Sequence, residues 1–149
     1  MLANGERQRI DEARQLESSV LEHALNVRAF VQSGDDKFRR GAEANAADVD
    51  QHLAKYLRLA RERRHRDYGV EFAAPWAPFR QRTRSILSDN AAPTSEQWTS
   101  FADGRIALEE FLRVRLQAEA TAALDAHKEN AQAGIATISV GWRCCWLEA

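Results

Sequence analysis

Cysteine is nearly absent: the chain has two, adjacent at Cys144-Cys145 and close to the C-terminus. Neighbours in sequence do not readily bridge each other, and there is no CxxC, no CxxCH and no histidine spacing typical of zinc. A disulfide-stapled scaffold and a structural zinc site are thereby excluded. Proline and glycine are also few, three and seven in 149 residues, and bunched. Turns are therefore confined to a few places. No run of about 18 apolar residues and no signal-peptide pattern occurs, so the chain reads as a soluble piece.

Charge of one sign is missing too. The net charge is −1, with acidic and basic residues mixed along the chain, which speaks against an electrostatic nucleic-acid footprint. The densest basic stretch, Arg58, Arg61, Arg63, Arg64 and Arg66, is interrupted by Glu62 and followed by Asp67. It reads as a solvated helix end. Catalytic signatures are absent as well: no GxSxG elbow, Walker loop, GxGxxG or HExxH, and no paired Glu-x-x-His of a di-iron bundle. His23, His52, His65 and His127 are scattered singly and read as surface or hydrogen-bonded histidines. No enzyme activity, cofactor or metal is expected.

What the chain does have is helix. It contains 26 alanines, and its 21 basic residues divide into 18 Arg and 3 Lys, a bias toward the best helix formers. From about Asn4 to Gln32, Ile10, Ala13, Leu16, Val20, Ala24, Val27 and Val31 are spaced 3, 3, 4, 4, 3 and 4, the seam of a left-handed bundle. Such a helix is roughly 43 Å long at 1.5 Å per residue. Ser33-Gly34 offers a stop and Asp35-Asp36 a fresh start. A second helix then runs to about Arg66, with Phe38, Ala42, Ala46, Val49, Leu53, Leu57 and Ala60 spaced 4, 4, 3, 4, 4 and 3.

Between Asp67 and Pro78 the pattern breaks at Tyr68-Gly69, Phe72, Pro75, Trp76 and Pro78, and this aromatic-rich stretch reads as a connection whose rings, Phe72, Trp76 and Phe79, plug one end of the core, with an interfacial contact to a lipid surface as the alternative. A short third helix is expected from Pro78 to Ser88, with Phe79, Thr83, Ile86 and Leu87 inward. Thr94 and Gln97 fit a capping box opening a fourth helix that runs to about Ala136. There Trp98, Phe101, Ile106, Leu108, Phe111, Leu112, Leu116, Ala120, Ala123 and Ala126 are expected to carry the buried side. The predicted fold is all-α: an antiparallel up-down-up-down four-helix bundle with long helices 1, 2 and 4 and a short helix 3, both termini at one end. The bundle would occupy residues 1–141. Residues 142–149 would form a juxtamembrane or cloning-derived tail, since the chain turns apolar after Gly134.

The first turn carries a family signal. The stretch NVRAFVQSGDDKF from Asn26 to Phe38 resembles the end of helix 1 in the extracytoplasmic four-helix-bundle sensor domains of bacterial receptors, the CHASE3-like and chemoreceptor-type modules. Arg28, Phe30, Ser33, Gly34, Asp35 and Phe38 match that pattern. The resemblance implies a periplasmic sensor domain of an inner-membrane protein. It would be held between flanking transmembrane helices and feed a histidine kinase of a two-component system, a diguanylate cyclase or a chemotaxis signalling unit. It also implies a homodimer along helices 1 and 4. A stand-alone helical interaction or adaptor protein is the alternative. A small-molecule ligand or a periplasmic partner protein is the expected partner, and no nucleic acid. By sequence position Arg28, Arg82, Arg84, Trp98 and Arg105 fall in the half of the bundle nearest the first turn. Arginines there would grip a carboxylate or phosphate, and Trp98 would stack on an organic body.

Overall fold

A computed structural model describes residues 4–89 and 91–145. Its elements are α1 (Asn4–Ser33), α2 (Asp36–Leu59), α3 (Arg63–Ser88) and α4 (Ser95–Cys145), with no strand among the described residues. The first turn forms as its residues dictate. Gly34 adopts φ 67°, the left-handed conformation that lacks a Cβ penalty only for glycine, and its N–H reaches the Phe30 carbonyl at 2.7 Å. Asp35 then caps α2 by accepting from the Lys37 N–H at 2.9 Å. At the other turn of this end, the Thr94 N–H donates to Gln97 Oε1 at 2.8 Å. The Gln97 N–H returns to Thr94 Oγ1 at 3.2 Å, closing the reciprocal box.

Two expectations about helix limits need correction. The second helix stops at Leu59 rather than near Arg66, and the third is 26 residues long rather than short. The stretch expected to be an aromatic connection is helical throughout, with Pro75 and Pro78 inside it. Both prolines lie away from the core, Pro75 half-buried and Pro78 exposed. The carbonyls they leave without an intrahelical donor belong to Glu71 and Ala74, which are exposed and within reach of water. On the inner face Tyr68, Phe72, Trp76, Phe79, Thr83 and Ile86 are buried at spacings of 4, 4, 3, 4 and 3, a register as regular as that of α1. The real reversal is the Ala60–Glu62 turn. Arg66 helps close it, donating to the carbonyl of Arg61 at 2.6 Å.

The cross-helix contacts run in opposite chain directions. Along α1 and α2, Asn26 meets Asn45, Glu12 meets His52 and Arg9 meets Tyr56. Between α2 and α3, Asp50 meets Arg80 while Tyr56 meets Tyr68. Between α3 and α4, Phe79 stacks on Phe101 and Tyr68 on Phe111. The main core joins Leu16, Val20, Val27, Val49, Phe72, Trp76, Phe79, Leu108 and Leu112. A smaller cluster of Ala13, Tyr56, Ala60 and Tyr68 sits toward the Ala60 turn.

Within α4 the expected buried side also shifts. Ile106 is 52% exposed, because Phe101, Leu108 and Leu112 define the inward stripe and Ile106 lies on the opposite side of the helix. Ala126 is exposed as well, and the described residues from Lys128 to Ile135 are all exposed. Ala126 lines the same cavity as Glu6, near the start of α1. The 19 residues of α4 from there to Cys145 extend roughly 28 Å farther at 1.5 Å each. No helix among the described residues is long and apolar enough to cross a membrane. The side chains of Leu116, Ala120, Ala123, His127, Cys144 and Cys145, and all of residues 146–149, lie outside the described residues.

Candidate functional site

The residues singled out in the sequence scatter over the turn half of the molecule. Arg28 is exposed on α1 and joins no ion pair among the described residues. Trp98 is half-buried and stacks on Phe101 with ring centroids 5.1 Å apart and planes 14° from parallel, so it closes the end of the core. Arg105 pairs with Glu109 at 3.0 Å along its own helix. Arg82 lies in a shallow, open groove with Ser95, Thr99 and Asp103. Arg84 alone of the five enters a defined cavity between helices.

That cavity has a volume of about 290 Å³ and opens between α1, α2 and α3. Its wall is formed by Ala46 and Leu87, and its charged residues are Arg39, Glu43, Arg80 and Arg84. Two of the guanidinium groups are held in place. Arg39 donates from Nε to Asp36 Oδ1 at 2.6 Å, which raises its already high pKa. Arg80 bonds Asp50, whose other carboxylate oxygen accepts from Trp76 Nε1 at 3.1 Å. Arg84 and Glu43 have no ion-pair partner among the described residues.

His23 lines the cavity from α1 and is only 1% exposed. Its ring is wedged edge-on between Trp76 and Phe79, at centroid distances of 5.6 and 6.0 Å. Nδ1 lies 2.7 Å from the Ala42 carbonyl oxygen and therefore carries the proton, since a carbonyl only accepts. Nε2 then faces Thr83 Oγ1 at 2.9 Å as an acceptor. Burial holds the His23 pKa below the ordinary histidine value; the Ala42 carbonyl opposes this and the Arg80 charge reinforces it. The Thr83 hydroxyl also lies 2.9 Å from the Arg80 carbonyl, so one hydroxyl proton faces two acceptors. A proton arriving at Nε2 would release that hydroxyl for the carbonyl.

The arrangement offers hydrogen-bond donors, one guanidinium group without an ion-pair partner, that of Arg84, and a small apolar wall, a combination able to hold a compact anion with an organic body. Sequence reasoning placed Arg84 in this half but missed Arg39, Arg80, Glu43 and His23. The available signal was a polar residue on an otherwise apolar seam. His23 adjoins Ala24 between Val20 and Val27, and Thr83 takes an inward position between Phe79 and Ile86. Among the described residues no group of three or more His, Cys, Asp or Glu is arranged to hold a metal.

No family model and no curated protein sequence matches the chain. Among solved structures it is similar to a periplasmic sensor domain of a sensor histidine kinase, with a TM-score of 0.67 at 18% identity. The match covers 91% of this chain and 97% of that one. The two share a fold.

Proposed function

We propose that the chain is an extracytoplasmic sensor domain of a bacterial membrane receptor, of the kind that feeds a sensor histidine kinase. The observation carrying this reading is the fold shared over nearly the full length of both chains with a periplasmic sensor domain of such a kinase. In this reading the helices form an up-down-up-down bundle over residues 1–141. The protein stands in the periplasm between flanking membrane helices and pairs as a homodimer along α1 and α4. The length of α4 suits the role, because a rigid helix leaving the bundle carries a small displacement away from it. Packed helices shift between discrete arrangements rather than deforming continuously. No catalysis is required of the domain itself.

The ligand would be a small organic anion bound between α1, α2 and α3, with Arg84 and Arg80 as its charge partners and the His23–Thr83 pair beneath it. Arg28, Arg82, Trp98 and Arg105 are then peripheral to binding. A thermal-shift screen of the domain against organic acids and sugar phosphates tests this. A binder stabilises only the native state, so its melting temperature should rise with concentration. Arg84→Ala should remove that rise without lowering the melting temperature of the unliganded protein. If the responding compounds are cationic or neutral, or if Arg84→Ala responds as the wild type does, the assignment of this cavity is wrong.

A further inference from the structure

The cavity between α1, α2 and α3 is lined by four charged side chains, and two of them are used up within the chain. Arg39 is paired with Asp36, and Arg80 with Asp50. What remains is one group of each sign. Arg84 on α3 and Glu43 on α2 pair neither with each other nor with any other described residue.

The helices themselves leave these two charges open. Glu43 has arginines three and four residues before it, the ordinary partners of a helical carboxylate, but Arg39 and Arg40 both turn back to Asp36. Arg84 has no carboxylate one turn away on α3, where Arg80, Gln81, Leu87 and Ser88 stand. Apolar surface accompanies both. Ala46 lies one turn beyond Glu43 on α2 and Leu87 one turn beyond Arg84 on α3, and each lines the cavity. Arg80, although bonded to Asp50 through Nη1, keeps further N–H groups, since a guanidinium carries five. A bare anion held by Arg84 would have to tolerate the Glu43 charge in the same small space. An anion that also carries an ammonium group turns that repulsion into a bond.

We propose that Glu43 selects the ligand of this cavity, which is an organic anion bearing a primary amine: its acid groups sit on Arg84 and Arg80, its ammonium group on Glu43 and its carbon chain against Ala46 and Leu87. The proposal rests on the anion reading of the same cavity and adds the amine to it.

The test compares ligands that differ at the amine. Glutamate is set against glutarate, and O-phosphoserine against 3-phosphoglycerate, with the melting temperature of the intact domain read over a concentration series. The first pair presents two carboxylates, the second a carboxylate and a phosphate. Wild type is expected to bind the amine-bearing member of at least one pair about tenfold more tightly than its counterpart, the scale of a hydrogen bond between charged groups. Glu43→Gln should lose that preference from both sides. It weakens the amine-bearing compound about tenfold and binds the amine-free one at least as tightly as wild type does, because the repelling charge is gone. Glu43 is exposed, so the unliganded variant should melt with wild type. Glutarate and 3-phosphoglycerate matching their counterparts in wild type would overturn the proposal and leave the anion reading standing. Silence from all four compounds also overturns it, and the wider screen of acids then decides the anion reading separately. An unchanged preference in Glu43→Gln assigns the discrimination to another group, and an unliganded variant melting well below wild type makes Glu43 a structural residue; either result overturns the proposal.

Discussion

Arg9, in the second turn of α1, places Nη1 2.7 Å from Glu119 Oε2 on α4, with the two side chains 5% and 14% exposed. The Tyr56 hydroxyl completes the triangle from α2 by donating to the other carboxylate oxygen. Three helices are thus joined by one buried polar knot. Removing one partner of a buried pair leaves the other charge desolvated and uncompensated. Arg9→Ala and Glu119→Ala should each cost about 3 kcal/mol or more in urea unfolding. The double variant Arg9→Met/Glu119→Leu should recover most of that loss, since apolar side chains of similar volume replace a buried pair at little cost. A double variant as unstable as either single one would show that the Tyr56 hydroxyl, left without an acceptor, dominates the energetics.

His23 and His65 make stability depend on pH. Burial is the first cause holding each below the ordinary histidine pKa, with Arg80 adding to it for His23 and Arg9 for His65. Below the unfolded histidine pKa of about 6.5 the unfolded chain takes up protons that the folded one does not, so stability rises with pH. The contribution is complete above about pH 6.5 and is lost as pH falls from there toward the lower folded values. Each histidine supplies a slope of at most about 1.4 kcal/mol per pH unit. Denaturant midpoints measured between pH 7.5 and 5 should therefore fall on acidification. His23→Gln should flatten part of the decline; an unchanged slope in that variant would assign the pH dependence elsewhere.

The depth of burial separates two leucines on the predicted seams. Leu112 is fully buried in the main core, whereas Leu53 packs against it only partly buried. Leu112→Ala should cost about 3 to 5 kcal/mol through the cavity it leaves, and Leu53→Ala about half as much. Equal losses in chemical denaturation would mean that Leu53 becomes buried in the folded protein in solution, as pairing with a second copy would bring about.

The parts of the fold legible in the sequence were those fixed locally. Gly34 and Asp35 end one helix and cap the next by backbone geometry and a single side chain, and Thr94 with Gln97 does the same for α4. The seam of α1 is equally plain because the residues repeating along it from Ile10 to Val31 are aliphatic. What escaped was the continuity of α3 and the polar floor of the cavity. Tyr68, Phe72, Trp76 and Phe79 keep helical spacing, but Pro75 and Pro78 within the same dozen residues argue the opposite, and local rules do not reveal that the prolines face outward. His23, a polar residue on an apolar seam, gains its meaning only from Ala42 and Thr83 on two other helices. The phase error at Ile106 arose similarly. The inward stripe of α4 is set by Gly104, which lets the Phe79 ring approach so closely that an added Cβ would lie 2.8 Å from it.

The two prolines of α3 yield the last prediction. Pro78 is exposed, and its ring occupies the place of an N–H that would otherwise bond the Ala74 carbonyl one turn back. Pro78→Ala restores that donor, removes the steric conflict with the preceding turn and substitutes the best helix former for the worst. Against this stands the greater freedom that alanine gives the unfolded chain, about 0.4 to 1 kcal/mol. The balance favours the folded state, and the urea midpoint should rise by an amount equivalent to about 1 to 2 kcal/mol. A fall would carry a different meaning. Trp76 and Phe79 flank this position and hold His23 between their rings. Loss of stability would then show that the proline bends α3 to bring these two rings into place, and that a straighter helix loosens the wall around the histidine.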